Sequence, residues 1–230
     1  MDSGEFTHHP KVERLITQLK EDQIDEKIFS DVIDEKGHQY VDLVQEGGGV
    51  LGFALVGYTY VLEQMGIRFL NLAGTSAGAV NTLFLNVMGD FQASKSELLI
   101  DEFARKNIMD FVDNDATIKN ILKSIVKKEG IAKSLVHVIW NGFRLKRSLN
   151  KNLGVNSGTE FYQWVDRILK KHDISTTADL FQKQAKLPET LRIRENVERN
   201  VEGLHSSIAI ITADITTQTK VSFPQMNFLY

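Results

Sequence analysis

YVDLVQEGGGVLG at residues 40–52 and RFLNLAGTSAG at residues 68–78 decide how this chain folds. Each is an apolar, strand-like run that breaks at glycines and passes into a helix-like run, so the two together read as one βαβα unit. The second break, Gly74-Thr75-Ser76-Ala77-Gly78, puts a serine hydroxyl at a sharp strand-to-helix corner, where small neighbours let a substrate approach Oγ. The first, Gly47-Gly48-Gly49-Val50-Leu51-Gly52, supplies closely spaced backbone N–H groups able to hold an oxyanion. A nucleophile and an anion cradle in one such unit point to acyl transfer.

Working outward, residues 53–64 carry a helical pattern that Gly66 terminates, and residues 77–87 form a helix apolar on most faces, which predicts burial. Upstream, Val12, Leu15, Ile16 and Leu19 make one apolar stripe of a helix over residues 11–20, expected to pack on the domain. Downstream, residues 94–151 read as two or three helices. Ser157 with Glu160 looks like a capping box ahead of a helix to Lys171, and Thr176 with Asp179 marks another helix start. Residues 186–203 read as a polar loop or surface helix, and residues 206–213 and 220–223 as strands joined by a turn.

Composition excludes several classes. With 42% hydrophobic and 25% charged residues the chain matches compact globular proteins, not disordered or fibrous ones. A net charge of −3 argues against a surface built throughout for nucleic acid. The absence of cysteine removes disulfide frameworks, thiolate zinc sites and thiol nucleophiles. The start of the chain lacks the basic and apolar regions of a secretory signal, and no apolar run approaches a membrane span. The expectation is a cytoplasmic protein, peripheral at membranes in one reading, with export by a route needing no cleavable signal left open.

One stretch is strongly one-sided. Lys119, Lys123, Lys127, Lys128, Lys133, Arg144, Lys146, Arg147 and Lys151 face the single acid Glu129, with Ile118, Ile121, Leu122 and Ile125 interleaved at helical spacing. Either this is a solvated face, or Lys119, Lys123, Lys127, Lys128, Arg144, Lys146 and Arg147 contact anionic lipid headgroups, at about 1 kcal/mol per basic residue.

The glycine turns admit competing readings. Gly47 to Gly52 also fits the dinucleotide-binding fingerprint, which needs an acidic residue at the end of the second strand. That strand instead ends Asn71-Leu72-Ala73 and runs into the serine corner. A nucleotide-binding module, a plain tight turn, and a Ser76 that only caps its helix remain the alternatives. Among bases, Asp214 precedes a turn but is followed by Ile215, and reads as structural. A triad of Asp173 or Asp179 with His205 has no supporting context. His137 lies amid apolar residues, and His8, His9, His38 and His172 lie in polar ones. No histidine pair has metal-ligand spacing, so neither metal nor cofactor is expected.

The two motifs, Glu46-Gly47-Gly48-Gly49-Val50-Leu51-Gly52 and Gly74-Thr75-Ser76-Ala77-Gly78, separated by one helix and one strand, closely resemble the patatin-like phospholipase family. The resemblance implies a three-layer α/β/α sandwich with a mostly parallel central sheet, and a carboxylic ester hydrolase of phospholipase A or lysophospholipase type. It would make Ser76 the nucleophile and the Gly47, Gly48 and Gly49 amides the oxyanion hole, with Gly52, Gly74 and Gly78 supporting the motifs. The domain so implied covers residues 37–230, behind a helical extension over residues 1–36. Glu46 and Leu51 depart from residues common in such loops. The family's catalytic aspartate belongs to an Asp-Gly-Gly or Asp-Gly-Ala motif, and the chain holds no Asp-Gly dipeptide. The expectation is therefore a fragment whose dyad aspartate lies outside these residues and which is itself inactive; a catalytically dead lipid-binding domain is the further alternative.

Overall fold

A computed structural model describes residues 3–49, 52–111, 157–195 and 203–230. They fall into two compact units, one formed by residues up to 105 and from 169 onward, the other by residues 106–168. The basic stretch of residues 119–151 and His137 lie outside the described residues.

The first unit is built on six strands, β1 (Val32–Ile33), β2 (Gln39–Gln45), β3 (Ile67–Thr75), β4 (Arg192–Ile193), β5 (Ile208–Asp214) and β6 (Thr219–Phe223). They form one sheet in the order β4-β1-β2-β3-β5-β6. The centre, β2-β3-β5, is parallel, while β1, β4 and β6 pair antiparallel with their neighbours, so the sheet is mixed about a parallel middle. Register sets Tyr40 opposite Arg68 and Gln45 opposite Gly74, then Thr75 opposite Ile211.

Seven helices accompany it among the described residues: α1 (Ser3–Thr7), α2 (Pro10–Glu21), α3 (Gly52–Gln64), α4 (Ala77–Val87), α5 (Ser96–Ala104), α6 (Thr159–Lys171) and α7 (Thr177–Gln184). The chain is thus α/β, as the βαβα pattern predicts. Helix α4 lies against β2, β3 and β5, and α3 against β3. Phe84, Leu85, Val87, Leu99 and Ile208 retain no exposed surface, each large apolar side chain contributing roughly 1.5–3 kcal/mol by burial. The all-apolar character of α4 is explained by this position.

Two expectations need correction. Helix α2 forms with the expected stripe, but none of its residues is fully buried: Val12, Ile16 and Leu19 are partly covered, Leu15 is exposed, and the helix meets α1. The segment read as loop or surface helix contains β4, recruited by pairing with β1. Thr176 and Asp179 form the reciprocal capping box their spacing predicts. Helix α6 begins at Thr159, whose N–H donates to Ser157 Oγ, and Glu160 pairs with Lys106 in the second unit at 3.6 Å. In the second unit, the Phe111 ring lies 5.1 Å from that of Trp164 and 5.3 Å from that of Phe161, an aromatic cluster on one face of α6. No described helix is long and apolar enough to cross a membrane.

At the amino ends of the parallel strands, buried polar groups close on one another. Arg68 donates to the Gln92, Glu63 and Ile67 carbonyls. Its third nitrogen, Nη2, lies 3.2 Å from His38 Nε2. Because guanidinium only donates, His38 Nε2 must accept, which leaves the proton on Nδ1 for Asp34 Oδ2 at 2.9 Å. Tyr40 OH donates to the same carboxylate. Burial pushes the Asp34 pKa up, but the His38 and Tyr40 hydrogen bonds outweigh it and hold the group below its ordinary 3.8. Glu63 in turn accepts the Lys95 and Ser96 N–H groups, both at 2.9 Å, tying the first turn of α5 to α3.

Asp34 is fully buried and each donor it serves would be stranded by its loss, so Asp34→Asn should destabilise the fold by about 1–3 kcal/mol at pH 7. Its folded pKa lies below the unfolded one, so the contribution is complete above the unfolded value and disappears as pH falls through the folded value. Urea titrations of both proteins should show the stability gap closing in acid; a gap independent of pH would rule this account out.

Candidate active site

The two glycine turns leave the sheet at the carboxyl ends of β2 and β3, the edge where open α/β sheets bind ligands. What joins them is the absence of side chains. A Cβ on Gly78, in the first turn of α4, would collide with the Gln45 carbonyl oxygen and stand 2.6 Å from that of Glu46. One on Gly74 would strike the Gly78 carbonyl and lie 2.6 Å from Thr82 Oγ1. Gly52 opens α3 with its missing Cβ 2.6 Å from Ala77 Cβ, and that of Gly47 would lie 2.6 Å from Ser76 Cβ and 3.1 Å from Ser76 Oγ. Gly47 is therefore brought against Ser76, with Gly48 and Gly49 following it in the turn, and Gly52, Gly74 and Gly78 crowd the same corner.

Ser76 is the residue between β3 and α4. Its backbone stands at φ 52° and ψ −124°, a region that side chains rarely occupy and that costs on the order of 1–3 kcal/mol. The residue is exposed, and its side chain makes no capping hydrogen bond to α4. The helix-capping alternative is thereby set aside: the serine carries an unfavourable backbone without satisfying the helix. Gly47, Gly48 and Gly49 are exposed and lie beyond the last strand pair, Gln45 with Gly74, so their N–H groups are outside the ladder. Gly49 takes φ 54°, which glycine adopts at no steric cost. The N-terminus of α4 adds the positive end of a helix dipole beside the serine.

Beneath the turns, Asn81 Nδ2 donates to Gln45 Oε1 at 2.6 Å, both side chains buried. This pair was not read from the sequence; an asparagine within the apolar helix over residues 77–87 was the available signal.

The other titratable candidates do not meet the serine. Asp214, the last residue of β5, accepts from the Thr216 N–H, the Thr217 hydroxyl and the Tyr230 hydroxyl, at 2.7–2.9 Å. The Thr217 and Tyr230 hydroxyls, then the Thr216 amide, pull its pKa down to about 2, which suits a turn-former and not a base. Asp179 is engaged in its capping box, and Asp173 follows α6 at φ 60°. Both line a cleft with Asn86 and Gly89, at the far end of α4 from Ser76. His205 is exposed and bonds to the Gly203 carbonyl.

Comparison with known proteins agrees with this geometry. The sequence model described as patatin-like phospholipase matches residues 43–226. The chain belongs to the patatin-like phospholipase family. It is similar to YqhO of Bacillus subtilis (strain 168), an uncharacterized protein, with 28% identity over 141 residues, 61% of this chain and 40% of YqhO. The chain thus spans well under half of that relative's length. No solved structure matches.

The strain at Ser76 has a measurable sign. Ser76→Gly relaxes the backbone whereas Ser76→Ala retains it, so the glycine variant should unfold with a free energy larger by about 1 kcal/mol, the relief being partly offset by glycine's unfolded-state entropy. Equal stabilities of the two variants would show that the corner is unstrained.

Proposed function

We propose that this chain is the nucleophile-bearing part of a serine lipid acyl hydrolase acting on ester bonds of phospholipids or related lipids. Family membership supports the hydrolase class. The observation that carries the role of Ser76 is its exposed hydroxyl on a positive-φ backbone, uncommitted to capping and packed against Gly47. Ser76 Oγ attacks the ester carbonyl carbon, and the electron pair moves onto the carbonyl oxygen. The Gly47, Gly48 and Gly49 amides stabilise that oxyanion, each donor being worth roughly 10²–10³ in rate. Collapse expels the alcohol portion and leaves an acyl-serine, which water hydrolyses. We assign the proton acceptor to an aspartate outside these 230 residues, since Asp214 is held by its own turn.

The decisive experiment is fluorophosphonate labelling with peptide mapping, on this chain and on the longest form of the protein. Ser76 should be labelled in the long form and unlabelled in Ser76→Ala; a folded long form that takes no label would defeat the hydrolase reading and favour a binding role for the glycine turns.

The basic residues Lys119, Lys123, Lys127, Lys128, Arg144, Lys146 and Arg147 are proposed to bring the protein to anionic headgroups at a membrane surface, consistent with a cytoplasmic, peripheral location. Binding to phosphatidylglycerol-containing vesicles should then weaken steeply between low and physiological salt, and binding indifferent to salt would refute it.

A further inference from the structure

At the end of α4 remote from Ser76, the first unit encloses a cleft of about 480 Å³. The 11 residues of α4 place the two ends roughly 16 Å apart, at 1.5 Å per residue. The cleft lies within the range of small-molecule sites. Its walls come from the loop between α4 and α5, the turn between α6 and α7, and α7 with the residues just after it.

Three lysines face it: Lys95, Lys183 and Lys186. None of them forms an ion pair among the described residues. Lys95 is only 8% exposed; its Nζ donates to the Leu85 carbonyl and lies 5.4 Å from the centre of the Phe91 ring. Burial, and then the nearby Lys183 charge, push the Lys95 amine down to about 8. Burial likewise lowers Lys183, and Lys186 adds to that effect while Asp90 and Asp173 oppose it. The remaining carboxylate, Asp179, already accepts from the Ser175 and Thr176 amides and the Thr176 hydroxyl. Asn86 adds a second, independent feature: the residue lines the wall, and its buried Oδ1 has no hydrogen-bond partner among the described residues. Turning that amide end for end would present an NH₂ donor in the same place.

We propose that this cleft binds a small phosphate-bearing anion, held by Lys95, Lys183 and Lys186 with the Asn86 amide as a neutral donor. Ammonium groups that no ion pair holds among the described residues, set on a concave, partly buried surface, raise the local anion concentration. A dianion would turn their mutual repulsion into attraction, and lysine binds phosphate as a point charge without needing the planar geometry of arginine. Nothing in the proposed acyl transfer uses this site.

Calorimetric titration of the chain with inorganic phosphate and with glycerol 3-phosphate, against chloride at equal ionic strength, tests it. Wild type should bind saturably. Lys183→Gln and Lys186→Gln should each weaken binding at least tenfold with thermal unfolding little changed, while Lys220→Gln, at an exposed position of β6, should bind as wild type does. No saturable binding by wild type, or equal binding by all four proteins, overturns the proposal. The same titrations locate the source of the phosphate. If glycerol 3-phosphate displaces phosphatidate-containing vesicles from wild type but not from Lys183→Gln, the site takes a lipid headgroup. If vesicles neither bind through the lysines nor compete, it takes a free solute.

Discussion

One contact is made backbone to backbone: the first turn of α4 rests at Gly78 on the carbonyl oxygens of Gln45 and Glu46, at the end of β2. No side chain fits there, and the remaining features of that edge follow from the contact. With α4 drawn in, Gly74 must also lack a side chain, and Gly52 lets α3 begin beside Ala77. The Gly47 turn then has one place to lie, over Ser76. Segments some thirty residues apart are fixed by excluded volume, a constraint that acts at short range and tolerates no gradual relaxation.

The opposite edge of the same strands is held by a different kind of force. Arg68, Glu63, Asp34 and His38 are drawn from β3, α3 and the β1–β2 turn, and most of their hydrogen-bonding capacity is spent on backbone groups. Burial lowers the pKa of Arg68 and raises that of Glu63, so both charges are kept at a cost in solvation. Such groups add little net stability compared with apolar replacements, but an alternative packing would strand them, which penalises misplaced strands and helices. One edge of the sheet is thus defined by what is missing and the other by what must be satisfied.

The parts of the fold that follow from local pattern were legible. Residues 40–44 and 68–73, read as strands, are the middles of β2 and β3, and α4 spans the residues its apolar pattern marks, because burial on one face writes its period into the sequence. The two-residue strands β1 and β4 were not legible, since two residues carry no period and exist as strands only through the neighbours they pair with. The stripe of α2 shows the converse, a helical period whose apolar residues are covered only in part. At the candidate site, the serine corner and the glycine turn over residues 47–49 could be placed from glycine spacing. The Gln45–Asn81 pair and the glycine-to-carbonyl contacts could not, because they join residues whose proximity is set by the completed sheet. The lysine cleft has the same origin, assembling residues from three separated segments with no shared motif.

The contact of Gly47 with Ser76 also bears on time. The Gly47 backbone sits against the Ser76 side chain, and the two turns leave β2 and β3, which share the most extensive ladder in the sheet. The Ser76 hydroxyl and the Gly47 backbone are therefore already in mutual register and need no assembly step. In the proposed acyl transfer, any slow, substrate-dependent step would then fall to segments that border this corner, and so would any choice between substrates.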